Sequence, residues 1–375
     1  MSIKPLIKWT GGKRSEIKYI EPFIPKEYDR YIEPFVGGGA LYFHLCPEHS
    51  IINDTWTDLI EFYKCMQNSD QELCILLLEY SHSIQTLLKL CKIDIDKLYT
   101  VYNSYLESKF LNADTILSTV SDWLPYFSNH NIILDKEKFN LSLYKYGYEG
   151  IKRLANVMCG KDVSEAKIKE NIITKFVNGY YMYFRDIYNN IHQDNMFVSK
   201  AYRLANFYFI RQYCYGGMFR YNKYGGFNVP YGGTSYNRID LYSKVTEMFN
   251  NAELKKLLKN TEIYNMDFEE LFNHINLSEN DFMFLDPPYD TTFSTYDKMD
   301  FTQDDHIRLA NTLKQCSCKF LLIINNNEFI YNLYKDFIVT SFDKKYSVNF
   351  RNRNDNRTTH LIITNYDIKQ ESNDE

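Results

Sequence analysis

The sequence Asp286-Pro287-Pro288-Tyr289 places a carboxylate and an aromatic ring on a stiff stretch of backbone. It follows the apolar and aromatic run 281–285, which is typical of a buried strand in a parallel sheet. Proline gives no N–H to a sheet and fixes its own φ, so we expect the strand to end there. Ligands of open α/β sheets bind at this carboxyl edge. A carboxylate beside an aromatic platform suits a flat ring that bears an amine, such as an adenine or cytosine lifted out of a nucleic-acid helix.

A second group of residues that could take part in ligand binding or chemistry lies near the start of the chain. The run 28–35 has the composition of a strand and leads into Gly37-Gly38-Gly39, after which 40–45 has the pattern of a helix. The next predicted strand, 50–54, ends in Asp54. Strand, glycine turn, helix, strand and acid is the order that opens a Rossmann-like nucleotide-binding domain.

The glycines are compatible with more than one adenosine cofactor. A P-loop fails, because the required first glycine would be Ile7 and the required hydroxyl would be Arg14. A dinucleotide would need a small residue at Tyr42, so it is disfavoured but stays open. A nucleoside cofactor without phosphates remains, with Asp54 at its ribose. S-adenosylmethionine fits this description.

Composition limits the class of protein. The 375 residues are 45% hydrophobic and 24% charged, as expected for a folded protein of one large or two ordinary domains. No apolar run is long enough for a membrane span, and the first residues lack a secretion signal. The eight cysteines and eight histidines show neither disulfide nor metal-site spacing. We therefore expect no membrane, no metal, and the cytosol of a bacterial or phage-infected cell.

Positive charge is concentrated in the middle of an acidic chain. The net charge is −5, yet residues 136–223 contain fifteen Lys or Arg against seven Asp or Glu. Such a segment is compatible with a surface that faces DNA and equally with a solvated helical surface. Residues 60–205 have helical patterning, and the Gly-, Tyr- and Asn-rich run 213–233 predicts a hairpin with an ordered loop.

The motifs together are more specific than any one of them. The chain resembles the D12 class of DNA adenine-N6 methyltransferases, the Dam-like family, in the motif order of its α group. The resemblance covers about 4–62, 180–235 and 260–366. It rests on six motifs, at 8–13, 31–40, 53–54, 215–230, 266–269 and 286–289, and on a closing strand at 360–366.

The resemblance implies a function and a set of site residues. It implies methyl transfer from S-adenosylmethionine to N6 of a flipped adenine in double-stranded DNA, with a cognate restriction endonuclease as a possible partner. Asp286 and the backbone carbonyl of Pro287 would accept the two N6–H bonds, and Tyr289 would stack on the base. The implied catalytic residues are Asp286, Pro287, Pro288 and Tyr289; the implied cofactor contacts are Trp9, Lys13, Phe35, Gly37, Gly39, Asp54, Asp267, Phe268 and Asp286; and the implied DNA contacts are Met218, Arg220, Asn222, Pro230, Arg351 and Arg353.

Several points stay open at the level of sequence. Arg220 is either a phosphate contact or a base reader, and Arg351 and Arg353 lie in either a phosphate-contacting or a solvated loop. Asp305 and Arg308 favour helix packing and capping over chemistry. The family hairpin usually begins with Asn-Gly, whereas this chain has Gly216-Gly217, and 64–180 matches no known motif, so target specificity is not implied.

The resulting prediction is an α/β protein: a Rossmann-like S-adenosylmethionine-dependent methyltransferase sheet with an inserted, mostly helical target-recognition domain. The catalytic domain is predicted at 1–63 and 236–368, the insertion with its hairpin at 64–235, and a disordered tail at 369–375. Alternatives are an RNA or protein-glutamine methyltransferase of the same fold, which usually carries Asn at the position of Asp286, and a non-catalytic DNA-binding relative.

Overall fold

The chain divides into two compact units. The computed structural model describes residues 3–288, 301–345 and 357–367. One unit is formed by Met1–Asn68 with Ala252–Glu375, and the other by Ser69–Asn251. The boundaries predicted from the sequence are 63/64 and 235/236. The second unit begins at Ser69, later than predicted, and ends later too, at Asn251. Its end is later because the helix Leu241–Asn250 buries Leu241 and Val245 and packs against the helix Gln71–Ile93.

Helices occur in both units. In chain order, with short 3-10 turns omitted, they are α1 (Ile17–Ile20), α2 (Ala40–Leu45), α3 (Thr57–Gln67), α4 (Gln71–Ile93), α5 (Ile95–Ser108), α6 (Ala113–Trp123), α7 (Lys136–Met158), α8 (Glu165–His192), α9 (Lys200–Tyr213), α10 (Leu241–Asn250), α11 (Ala252–Lys259), α12 (Phe268–His274), α13 (Gln303–Lys314) and α14 (Glu328–Tyr334).

The strands all belong to the first unit. They are β1 (Tyr31–Glu33), β2 (Ser50–Asn53), β3 (Thr261–Tyr264), β4 (Phe282–Leu285), β5 (Lys319–Asn325), β6 (Ile338–Lys345) and β7 (Arg357–Thr364). Within the described residues they form one seven-stranded sheet in the order β3-β2-β1-β4-β5-β7-β6. The Rossmann-like fold predicted from the sequence is confirmed.

The direction of the strands decides which residues meet. β1 pairs in parallel with both β2 and β4, and β4 pairs in parallel with β5. All four residues of β4 are buried, as its apolar sequence predicts. Because the carboxyl ends of parallel strands share one edge, the segments after β1, β2 and β4 lie at the same edge of the sheet. β7 is antiparallel to both β5 and β6, and it contains most of the closing strand predicted at 360–366.

The second unit is helical and has a core of aromatic rings that contact one another, mostly edge to face. Tyr80 of α4, Tyr180 and Phe184 of α8, and Phe209 of α9 have ring centroids 4.7 to 5.6 Å apart. Asn206 donates from Nδ2 to the Tyr80 hydroxyl and to the Phe184 carbonyl, both at 3.1 Å. Aromatic pairs at these separations add stabilisation to burial itself, so the three helices form one packed body.

The hairpin predicted at 213–233 differs from the prediction in its strand content. The chain does reverse direction there, but the antiparallel pairing is limited to two isolated bridges, Cys214 with Tyr231 and Tyr221 with Phe227. Two positive φ angles, at Gly216 and Gly217, and a 3-10 turn interrupt the first arm. We call residues 213–233 the reading segment.

Candidate active site

Asp286 lies directly after the carboxyl end of β4 and pairs with a lysine from the start of the chain. Its side chain is 19% exposed, and Lys13 Nζ lies 2.7 Å from its Oδ1. Lys13 is itself only 4% exposed and also donates to the Gly11 carbonyl at 3.1 Å. Pro287 is buried and Pro288 is exposed. The Asp286 carboxylate, predicted to be catalytic, is therefore partly open to solvent and held by a buried ammonium group.

The glycine turn follows β1, the strand beside β4. Gly37 and Gly39 have φ of +46° and +64°, a left-handed conformation that favours glycine. The Gly37 N–H donates to Asp54 Oδ2 at 2.9 Å, and the Gly37 carbonyl accepts from the Tyr63 hydroxyl at 2.9 Å. Both backbone polar groups of Gly37, its N–H and its carbonyl, are therefore hydrogen-bonded, which fixes the turn.

Trp9 explains why this turn cannot carry side chains. A Cβ at Gly37 would lie 2.8 Å from Trp9 Nε1, and one at Gly38 would lie 2.8 Å from Trp9 Cβ. The Trp9 ring also meets Trp56 edge to face at 5.7 Å. The predicted cofactor residues Trp9, Gly37 and Gly39 are therefore brought together around one turn.

Both carboxylate oxygens of Asp54 accept backbone hydrogen bonds, and one of these bonds comes from the glycine turn. Oδ1 accepts from the Trp56 N–H at 2.9 Å, and Oδ2 accepts from the Gly37 N–H. Burial raises the pKa of Asp54, while the backbone N–H groups of Trp56 and Gly37 act in the opposite direction. Each carboxylate oxygen can accept a second hydrogen bond. The side chain can therefore orient the turn and still receive a ribose hydroxyl.

The segment after β3 is tied to the end of β2. Asn53 is 1% exposed and makes two hydrogen bonds to Met266, accepting from its N–H at 3.0 Å and donating to its carbonyl at 2.9 Å. Asp267 follows and caps α12, accepting from the Glu269 N–H at 2.9 Å. The sequence analysis assigned no role to Asn53. Its position directly before Asp54, at the end of a predicted strand, could have indicated one.

Phe35 and Phe268 contact each other, with ring centroids 5.5 Å apart. Phe268 is 2% exposed and belongs to the core of the first unit, whereas Phe35 is partly exposed. Both also lie near Phe301, at 5.7 and 5.8 Å. The structure thus brings the two predicted cofactor aromatics together, Phe268 as a core side chain and Phe35 at its margin.

The reading segment, in the second unit, contains four of the six predicted DNA contacts. Arg220, Asn222 and Pro230 are exposed and Met218 is partly exposed. Asn222 Oδ1 accepts from the N–H groups of Tyr224 and Gly226, at 2.9 and 3.0 Å, so it shapes the tip of the loop. Arg220 donates to the Asn228 side chain at 2.7 Å and to its carbonyl at 3.1 Å.

Three predicted site residues, Tyr289, Arg351 and Arg353, lie outside the described residues, as does the predicted tail at 369–375. Within 3–288, 301–345 and 357–367, no three His, Cys, Asp or Glu side chains are grouped as metal ligands. No helix in the same ranges is long and apolar enough to cross a membrane.

Comparison with known proteins decides the family. The model of the D12 class N6 adenine-specific DNA methyltransferases matches residues 9–109 and 120–348. The chain belongs to this family. The match covers both compact units, and with it the glycine turn, Asp286 and the reading segment.

Curated relatives extend over nearly the whole chain. A type II methyltransferase, M.CviBI of Paramecium bursaria Chlorella virus NC1A, is 27% identical over 97% of this chain and 100% of its own length. M.MjaIII of Methanocaldococcus jannaschii is 28% identical over 98% and 100%. M1.LlaDCHI of Lactococcus lactis subsp. cremoris is 24% identical over 98% and 96%. This methyltransferase is therefore similar to type II methyltransferases over nearly its whole length.

Sequence reasoning did not identify Glu33 of this adenine methyltransferase as a candidate functional residue. Glu33, the last residue of β1, is 2% exposed, and its Oε2 accepts from the Tyr31 hydroxyl at 2.7 Å. Burial raises the pKa of Glu33 well above its usual value, and the negative charge of Asp286 adds to the rise. The raised pKa favours the neutral form of Glu33, which carries no charge to repel the carboxylate of Asp286. In the sequence, Glu33 was marked by its place in the motif 31–40 and by being an acid inside a predicted strand.

Replacing Glu33 by glutamine tests this protonation state. The unfolded pKa is near 4.5 and the folded pKa is higher, so the folded protein binds more protons and stability falls as pH rises between the two values. Glutamine does not titrate, so Glu33→Gln should gain stability relative to wild type with rising pH, by about 1.4 kcal/mol for each unit within that window.

The measurement is urea unfolding of both proteins at pH 5, 7 and 9. Glu253→Gln, at an exposed site on α11, serves as the control and should show no such trend. A Glu33→Gln difference that is the same at all three pH values would contradict the neutral assignment.

Proposed function

We propose that this enzyme takes its methyl group from S-adenosylmethionine and transfers it to N6 of an adenine extruded from duplex DNA at a specific sequence. The observation that carries the proposal is the position of Asp286. It follows β4, and the Gly37 turn follows the adjacent parallel strand β1, so a base amine and a methyl donor would meet at one edge of the sheet.

The residues present fit this cofactor. Asp54 offers acceptor capacity for a ribose, and the Gly37–Gly39 turn lets backbone approach the ligand closely under Trp9. Asp267 and Phe268, which follow the Met266 held by Asn53, are the residues that we propose receive the adenine. When bound, S-adenosylmethionine supplies a methyl group that its sulfonium has already activated, so the protein needs to orient and stabilise rather than activate.

The chemical work of the protein falls on Asp286. The N6 amine is a weak nucleophile because its lone pair is delocalised into the ring. Acceptance of both N6–H bonds, by Asp286 and the Pro287 carbonyl, favours a tetrahedral nitrogen and stabilises the positive charge that develops on it. Tyr289 would stack on the extruded base, which contributes about 1–3 kcal/mol against an unstacking cost of a few kcal/mol.

We further propose that the helical unit, 69–251, recognises the target. Its reading segment exposes Arg220 and Pro230, and residues 136–223, which include α7, α8 and α9, carry the basic excess. The free energy gained when the extruded base stacks on Tyr289 nearly equals the cost of unstacking it from the duplex. Contacts to the DNA phosphates must therefore hold the DNA open. The relatives named type II methyltransferases agree with action at a specific site. A cognate endonuclease as partner and the cytosol of a bacterial or phage-infected cell as location are part of the same proposal.

The test is direct. Purified protein is incubated with methyl-labelled S-adenosylmethionine and duplex DNA from a methylation-free host, and nucleosides are analysed by mass spectrometry. We expect the label in N6-methyladenine. We also expect modified-base sequencing to find the methylated adenine within one recognition sequence. Label in RNA or protein with none in DNA, or no label at all, would overturn the proposal.

A further inference from the structure

A single guanidinium joins the starts of two helices near the proposed cofactor site. Arg308 of α13 makes a two-pronged contact with Asp267, from Nη1 to Oδ1 and from Nη2 to Oδ2, both at 3.1 Å. Its Nη1 also donates to Glu269 at 2.7 Å, and its Nη2 to Asp305 at 2.8 Å. Three carboxylates thus converge on one cation.

The acids belong to the first turns of their helices. Asp267 caps α12, and Glu269 lies in its first turn. Asp305 forms a capping box with Thr302 at the start of α13, accepting from the Thr302 N–H at 2.8 Å. The Arg308 guanidinium also lies 4.7 Å from the centre of the Phe268 ring. Its contacts therefore reach both Asp267 and Phe268, the residues proposed to receive the adenine of the cofactor.

These contacts are too exposed to matter mainly for folding. The side chains of Arg308 and Asp267 are 38% and 36% exposed, and ion pairs at such sites contribute little to stability. Their geometry is nonetheless specific, because a planar guanidinium fixes the plane of the carboxylate that it grips with two donors. Without Arg308, three acids would repel one another at this point.

We propose that Arg308 is a positioning residue for the cofactor, holding Asp267 and the first turn of α12 in the geometry that receives the adenosine of S-adenosylmethionine. The inference rests on the proposed function. The same segment is held on its other side by Asn53, through both backbone groups of Met266. Residues 266–269 are therefore fixed from two directions, one contact from β2 and one from α13.

The first unit contains a matched control at the opposite edge of its sheet. Arg30 also grips an aspartate with two donors, Nε to Asp281 Oδ1 at 2.9 Å and Nη2 to Oδ2 at 2.6 Å. Arg30 precedes β1 and Asp281 precedes β4, so this pair lies at the amino ends of the strands. Asp281 is fully buried, which makes the Arg30 pair the more important one for stability.

The experiment compares Arg308→Lys and Arg308→Gln with Arg30→Lys. Binding of S-adenosylhomocysteine is measured by calorimetry, KM and kcat by methylation of duplex DNA, and Tm by thermal unfolding. Lysine keeps the charge but cannot make the two-pronged contact. Both Arg308 variants should bind S-adenosylhomocysteine about tenfold more weakly, with a similar rise in KM for the methyl donor and kcat within about twofold of wild type.

The control separates positioning from a general loss of structure. Arg30→Lys should lower Tm without changing affinity for S-adenosylhomocysteine. Wild-type affinity in both Arg308 variants, a fall in kcat with unchanged KM, or an equal loss of affinity in Arg30→Lys would each overturn the proposal. Absence of S-adenosylhomocysteine binding to the wild-type protein would instead overturn the proposed function.

Discussion

Asp286→Ala should leave no measurable methylation of adenine, and Asp286→Asn should lower kcat about 1,000-fold. Asparagine keeps one acceptor oxygen for the N6–H but loses the negative charge that stabilises the developing cation, whereas alanine loses both. The half-buried position after β4 strengthens this electrostatic effect, because less water screens it. Initial rates with labelled methyl donor and duplex DNA at saturating concentrations measure it.

Both Asp286 variants need a test that the site is otherwise intact. The carboxylate pairs with the nearly buried Lys13, so its removal is expected to cost some stability. Thermal unfolding and binding of S-adenosylhomocysteine show whether the fold and the glycine turn survive. A folded, cofactor-binding Asp286→Ala enzyme that still forms N6-methyladenine at near the wild-type rate would refute the role of this carboxylate.

The parts of the fold that could be predicted from sequence are those set by local chemistry. The all-apolar β4 and the prolines after it predicted a buried strand with Asp286 at its end, and the structure has this arrangement. Gly37 to Gly39 predicted a turn after a strand, and the structure has this turn, with positive φ at Gly37 and Gly39. In each case a few consecutive residues restrict the backbone enough to fix the local structure.

The parts that could not be predicted depend on residues far apart in the chain. Lys13 was assigned to the cofactor, but the structure pairs it with Asp286, and only the tertiary fold brings these two together. Arg308 was interpreted as helix packing, because nothing in its own sequence neighbourhood indicates Asp267 as a partner. The reading segment shows the same limit, since its glycines predicted a reversal without revealing how little strand pairing accompanies it.

Lys13→Met provides the second large expected effect and separates the two assignments of this lysine. The ammonium fixes the position of the Asp286 carboxylate at 2.7 Å, and loss of a group that aligns a reacting side chain can lower kcat about 100-fold. Lys18→Met, at an exposed site on α1, controls for the loss of one positive charge and should be close to wild type.

The decisive measurement is the double-mutant cycle of Lys13→Met with Asp286→Asn, followed through both kcat and the KM for the methyl donor. If Lys13 acts through Asp286, the second substitution adds little to the first, and the two effects on kcat are coupled by about 1–3 kcal/mol. If Lys13 instead contacts the cofactor, Lys13→Met raises KM by the same factor in both backgrounds, and its effect adds to that of Asp286→Asn. The short contact between the two charged groups makes the coupled outcome the expected one, because a buried ammonium at hydrogen-bond distance restricts where the carboxylate can point.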